Sequence, residues 1–151
     1  NYGPGLKITD RRVIPDFVQN ILRQEDVVML SDGKPMRTFC YVADAVSGYF
    51  RILTKGRPGQ AYNIGVEQPE ISMRQLAEQL IELSREHIGY KGKLVVTASE
   101  DSNYLIDNPN RRCPIIKKAR DELGYNPSID LKEGLKRSLI WYVSNSEGEN
   151  S

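Results

Sequence analysis

The chain has 151 residues, of which 39% are hydrophobic and 27% charged, the size and balance of one ordinary globular domain. Its 21 Lys and Arg against 20 Asp and Glu leave a formal charge of +1, so no chain-wide field draws it to nucleic acid or to an anionic membrane, and any anion site must be local. No apolar run approaches the roughly 20 residues that span a bilayer, and no basic-then-apolar leader opens the chain, so a cytoplasmic protein is expected.

Along the chain, Ile14, Phe17, Val18, Ile21 and Leu22 recur at helical spacing and predict a helix over 15–24, with Pro15 in its first turn. Residues 27–30 and 38–42 are two apolar stretches separated by the turn Ser31-Asp32-Gly33-Lys34-Pro35, the pattern of a β-ribbon. Ala45, Val46, Tyr49, Phe50 and Leu53 mark a second helix, with Asp44 as a capping residue in its first turn and Gly56 as its stop. A short strand is expected at 61–64. Ser72 and Gln75 then form a capping box flanked by the apolar pair Ile71 and Leu76, so a helix starts at Met73, buries Leu76, Ala77, Leu80 and Ile81, and stops at Gly89. Arg85 and His87 fall in its last turn, His87 as a solvated cation. Residues 94–97 predict a strand, and the polar stretch up to Asn110 a long loop. Pro114 opens a helix that Gly124 ends; Asp130 and Glu133 cap a last helix carrying Leu131, Leu135, Leu139 and Tyr142 on one face. Residues 1–144 are thus expected to form one small mixed α/β domain and 145–151 a frayed tail.

Cys40 and Cys113 lack metal-type spacing and His87 is the single histidine, which argues against a zinc site and against Ser-His-Asp or Cys-His catalysis. The opening at Asn1, without a methionine, suggests a piece of a longer protein.

Four local patterns occur in register. They are Tyr2-Gly3-Pro4; Gly33 through Asp44 within DGKPMRTFCYVADA; Tyr62-Asn63-Ile64-Gly65 followed by Ile71-Ser72-Met73; and Arg112-Cys113-Pro114 running to Leu123-Gly124-Tyr125-Asn126-Pro127, with Gly134-Leu135 and Trp141-Tyr142 beyond. Together they resemble the second half of extended short-chain dehydrogenase/reductases that act on nucleotide sugars, the NAD-dependent epimerases and dehydratases. The stretches RTFCYVADA and NRRCP are most similar to the UDP-glucuronate decarboxylase and dTDP-glucose dehydratase branches.

The resemblance implies that Arg37 and Arg112 grip the diphosphate of a UDP- or dTDP-linked sugar. The chemistry agrees, because a guanidinium binds such oxygens through a fork and keeps its charge. The competing reading makes Arg37 a strand-edge cation and pairs Arg112 with Asp107 or Asp121. Arg111 could share the contact. Arg12, Val13 and Ile14 lie where similar proteins line the nucleotide base, although core packing explains the apolar pair equally well, and Asn1 is a further candidate. Ser72 is a helix cap, Tyr41 and Tyr62 are packing residues, and Lys117 and Lys118 form a solvated face. Ile115 departs from the family pattern, where an aspartate caps the following helix.

Hydride chemistry in this family needs a Gly-rich turn at a helix start and a Tyr-x-x-x-Lys pair. Neither occurs in the chain, since no glycine series has that spacing and none of the eight tyrosines has Lys four residues on. The chain alone is therefore expected neither to hold NAD nor to turn over substrate. The resemblance implies a full-length enzyme, expected to be a homodimer, that uses NAD or NADP to oxidise the sugar at C4 before epimerisation, dehydration or decarboxylation. A non-catalytic sugar-nucleotide-binding or regulatory module is the alternative of a different class. Apart from its partner half, the domain should expose apolar surface and self-associate.

Overall fold

The computed structural model of the chain describes residues 1–97 and 109–145. These residues hold helices α1 (Val13–Leu22), α2 (Val42–Lys55), α3 (Met73–Ile88), α4 (Lys117–Leu123) and α5 (Leu131–Asn145). Short strands β1 (Val27–Met29), β2 (Met36–Arg37), β3 (Ile71–Ser72), β4 (Leu94–Val96) and β5 (Arg111–Arg112) complete a mixed α/β fold. Most of the loop predicted before Asn110, and the tail beyond Asn145, lie outside the described residues.

Helix α3 forms where its local signals put it. The Ser72 hydroxyl accepts from the Gln75 amide at 3.1 Å and the Gln75 side chain accepts from the Ser72 amide at 2.8 Å, satisfying two donors that a helix start leaves open. Ile71 and Leu76 are both buried beside the box, and Gly89 leaves the helix at φ 65, a conformation a side chain would resist. Helix α5 is capped by Asp130, whose carboxylate accepts from the Glu133 amide at 2.9 Å. Glu133 itself turns to Arg137 one turn on, at 2.7 Å. Helix α1 begins two residues ahead of Pro15, which still falls among the first amides that need no helical acceptor.

The strands depart from the expectation. β1 pairs in parallel with β4, while β2 lies between antiparallel β3 and parallel β5, so the predicted ribbon between residues 27–30 and 38–42 does not form. The intervening turn instead serves the open end of α3, where the carbonyls of Gly33 and Pro35 accept from the amides of Arg74 and Met73, both at 3.2 Å. Beyond β2 the chain leaves the sheet, Tyr41 makes only a parallel bridge with Tyr2, and Val42 already opens α2. Residues 61–64 run without a strand partner among the described residues. The helix expected at Pro114 starts at Lys117, because the amide of Ile116 is taken by the Glu67 carboxylate at 3.1 Å.

Three packed groups result among the described residues, the smallest of Cys40, Ala45 and Val66. α1, α3 and α5 enclose Val18, Ile21, Leu76, Leu80, Leu135 and Leu139, whereas α4 packs on α2 through Ile116, Ala119, Leu123 and Tyr125. Tyr2 and Asp44 join them. The Tyr2 ring meets Tyr41 edge-on at 5.7 Å and its hydroxyl donates to the Leu131 carbonyl at 3.3 Å. That approach depends on Gly134, where a Cβ would overlap the Tyr2 hydroxyl and lie 3.1 Å from the Tyr41 ring. Gly134→Ala is expected to lower stability by about 1–3 kcal/mol through this overpacking, read as a lower urea midpoint at unchanged slope.

Asp44 does not cap its helix as predicted. It is buried, and its carboxylate accepts from the amides of Ser128 at 3.1 Å and Ile129 at 2.9 Å, tying α2 to the approach of α5. The outer side of α2 carries Val46, Tyr49, Phe50 and Leu53 at helical spacing, and all four are exposed, Leu53 by 80%.

Candidate functional site

A cleft of about 610 Å³ is lined by Arg37, Cys40, Gly65, Arg111, Arg112 and Pro114. Its volume falls in the range of small-ligand sites. Three arginines border this one cleft in a chain of net charge +1, a local concentration of positive charge.

The strand register sets its geometry. Arg37 of β2 and Arg112 of β5 are Cα partners in a parallel pair, so two like charges stand directly across from each other. Such an arrangement costs stability. Burial, and behind it the charge of Arg112, pull the Arg37 guanidinium below its ordinary value, although an arginine stays charged at any physiological pH. Arg37 also donates to the Met36 carbonyl at 2.8 Å, which orients the side chain. The guanidinium of Arg112 forms no ion pair among the described residues: Asp121 is paired with Lys117, and Asp107 lies outside them.

Arg111 lines the same cleft but is engaged. Its Nε and a terminal nitrogen each donate to a Glu70 oxygen at 2.8 Å, a closed two-point fork. Asn1 is at the rim, its amide donating to the Tyr49 hydroxyl at 2.9 Å. Arg12 is not in this cleft; it precedes α1 and forms its own fork with Asp10 at 2.9 and 2.7 Å. Val13 lines a second cavity of about 260 Å³ with Phe17, Met29, Leu30 and Met73, and Arg37 lines both spaces. Ile14 is buried in the core.

Residues of three of the sequence patterns meet beside the cleft. The Tyr125 hydroxyl donates to the Gly65 carbonyl at 3.0 Å and lies 3.6 Å from the Cys40 sulfur, and burial raises the phenol well above its usual pKa. A Cβ on Gly65 would come within 2.8 Å of Pro114, so this glycine lets the segment after Arg112 close over the cleft. Glu67 replaces the cap missing at Ile115: besides the Ile116 amide it accepts from Arg120 at 2.8 Å. These two bonds hold the Glu67 carboxyl below the ordinary range, Arg120 being the larger cause. Because its folded pKa is depressed, the stabilisation is present above the unfolded carboxyl pKa and is lost as pH falls through the folded one. Glu67→Gln is accordingly expected to flatten the acid limb of a stability–pH curve, measured by urea denaturation. Neither Glu67 nor Glu70 carries a local signal, since both sit in a polar loop and act on residues some forty positions away.

Other expectations resolve simply. Tyr41 packs in the core and Tyr62 is half-buried on the α2–α4 group. Lys118 is not a freely solvated cation: it stands 4.6 Å over the Tyr62 ring and donates to the Ala61 carbonyl at 3.0 Å. His87 is half-buried rather than fully solvated. Cys40 and Cys113 are both free thiols, and the described residues contain no cluster of three His, Cys, Asp or Glu able to hold a metal ion. No described helix is long and apolar enough to cross a membrane.

Among the described residues, no helix start offers the turn that a dinucleotide cofactor needs. The helices open after Arg12, Tyr41, Ser72, Ile116 and Asp130, and none of these starts follows a glycine-rich turn that could receive a pyrophosphate.

Comparison with known proteins finds likeness to the same family. Residues 1–65 match the NAD dependent epimerase/dehydratase family. The chain is 33% identical to dTDP-D-glucose 4,6-dehydratase of Mus musculus over 95% of its length, covering 39% of that protein. It is 36% identical to UDP-glucuronic acid decarboxylase 6 of Arabidopsis thaliana over 89% of its length, covering 36% of that protein. The UDP-glucose 4-epimerase of Thermotoga maritima, solved with UDP-glucose, superposes with a TM-score of 0.80 at 26% identity, over 96% of this chain and 44% of that one. The chain thus spans about two fifths of the length of the curated relatives it matches. With four motifs in register and an α/β fold shared with these enzymes, the chain is similar over nearly its whole length to NAD dependent epimerases and dehydratases.

Proposed function

We propose that this chain is the C-terminal, substrate-binding part of an NAD-dependent nucleotide-sugar epimerase, dehydratase or decarboxylase, and that residues 1–144 form the domain that holds the nucleotide diphosphate. The observation that carries the reading is the direct cross-strand pairing of Arg37 with Arg112 at the mouth of one cleft. A diphosphate offers oxygens to both guanidinia and brings a charge opposite to theirs.

The second cavity supports a continuous site. Arg37 borders both spaces, so a diphosphate between Arg37 and Arg112 would direct its nucleoside toward the apolar wall of Val13, Phe17 and Leu30 and its sugar toward Asn1 and the Gly65 side. Arg12, closed on Asp10, would then serve by opening α1 beside that wall rather than by touching phosphate. Holding the non-reacting end of a substrate lets binding energy orient the reacting carbon. The cofactor and the proton-transferring tyrosine would come from the part of the enzyme that this chain does not match, and no step of the reaction is assigned to residues on it.

The test is calorimetric titration of the protein with UDP-glucose, dTDP-glucose and free uridine. Diphosphate-dependent binding, with uridine far weaker than either sugar nucleotide and affinity falling as salt is raised, is the expected result. Equal affinity for uridine and UDP-glucose would refute the assignment.

A further inference from the structure

We infer that Asn63 and Glu67 are positioning residues for Arg112: together they clasp the segment 113–116 and so hold the Arg112 guanidinium at the cleft that takes the diphosphate. The inference rests on the diphosphate-binding reading and adds to it two residues that serve the site without meeting the ligand.

Arg112 has little else to fix it. β5 is two residues long and Arg112 is exposed, so neither a long ladder nor packing around the side chain sets its place. The register opposite Arg37 turns both side chains to one face of the sheet, and both line the cleft. Each residue from 113 to 116 then meets the run 63–67. The Cys113 thiol donates to the Glu67 carbonyl at 3.5 Å. Pro114 packs on Gly65, where a Cβ would come within 2.8 Å of it. The Ile115 carbonyl accepts from the Asn63 side-chain amide at 3.0 Å, and the Ile116 amide donates to the Glu67 carboxylate at 3.1 Å. Ile116 is itself buried at the start of α4, and Arg120 donates to the other Glu67 oxygen at 2.8 Å, so the clasp has a fixed base.

Ile64, Gly65 and Val66 line the cleft, while Asn63 and Glu67 at the two ends of that run turn their side chains to 113–116. Their effect on a ligand therefore passes through the segment that follows Arg112. A guanidinium already in place loses less conformational freedom when it grips phosphate, and a released segment forfeits that advantage.

The experiment is isothermal titration of the protein with UDP-glucose, run as a double-variant cycle with Arg112→Ala. Asn63→Ala removes one exposed hydrogen bond and should weaken binding by about four-fold. Glu67→Ala releases both Ile116 and Arg120 and should weaken it by about ten-fold, and Glu67→Gln, which keeps an oxygen for the Ile116 amide, should recover most of that loss. Where Arg112 is already alanine, each of these changes should move the affinity by less than about two-fold, because nothing is left to position. A fall of the same size with and without Arg112 makes the clasp a purely structural feature and overturns the inference. So does an affinity within about two-fold of the unaltered protein in either single variant. Should Glu67→Ala fail to fold, Asn63→Ala at the surface decides alone. If Arg112→Ala weakens binding and the clasp variants do not, the diphosphate reading stands and only the positioning role is lost. If Arg112→Ala binds like the unaltered protein, or the unaltered protein binds no UDP-glucose, the diphosphate reading fails and the inference falls with it.

Discussion

Replacing Arg112 by alanine is expected to weaken UDP-glucose binding by about 10- to 100-fold while leaving the melting temperature unchanged or slightly raised. The size follows from losing charge-assisted hydrogen bonds to a phosphate, about 1.5–3 kcal/mol for a group that remains partly in water. The sign of the stability change follows from the register: Arg112 stands opposite Arg37, so its removal relieves a like-charge pair. A side chain that repels its neighbour in the free protein and is required only with ligand present is the mark of a binding residue rather than a structural one. Arg37→Ala should weaken binding comparably but with some loss of stability, because Arg37 is half-buried and bonded to the Met36 carbonyl. The double variant should lose less than the sum of the two, since both residues act on one ligand group. Calorimetry and thermal melting on the same samples decide the matter. A fall in stability for Arg112→Ala with unchanged affinity would return this residue to a structural role.

Asp44→Ala is expected to destabilise the protein by about 3 kcal/mol and about 10 °C in melting temperature. The carboxylate is 7% exposed and receives the amides of Ser128 and Ile129, both of which would be left without this acceptor. These bonds also hold α2 against the segment that leads into α5. Asp44→Asn, which keeps one acceptor oxygen, should recover part of the loss. Had the residue been a helix cap, alanine would cost only about 1 kcal/mol. A chemical denaturation series over the three side chains distinguishes these outcomes, and equal, small effects for both substitutions would exclude the bridging role.

The difference between these two residues shows where the chain could be read directly. Arg112 was legible because its type fits the ligand chemistry and it stands in a recognisable stretch before Pro114. Asp44 was legible only as a residue in the first turn of α2, and capping is the natural reading there. Its true partners lie more than eighty positions away. Glu67 and Glu70 were not legible at all. Each works through a partner that only the folded chain brings near, Arg120 and the Ile116 amide for one and Arg111 for the other.

Taken alone, the amino-acid sequence determined where the helices lie, the caps of α3 and α5 and the stop of α4, because those depend on residues three and four apart. Ser72 with Gln75, Gly89, Gly124 and Asp130 act on their own neighbourhoods, and the structure keeps each of them. The tertiary structure alone decided the strand partners, the abandonment of the expected ribbon, and the sharing of charge at the cleft. Strands of two or three residues have too little pairing of their own to choose a partner. The choice passes to the helices that bring them together and to the open helix end that claims the carbonyls of the turn.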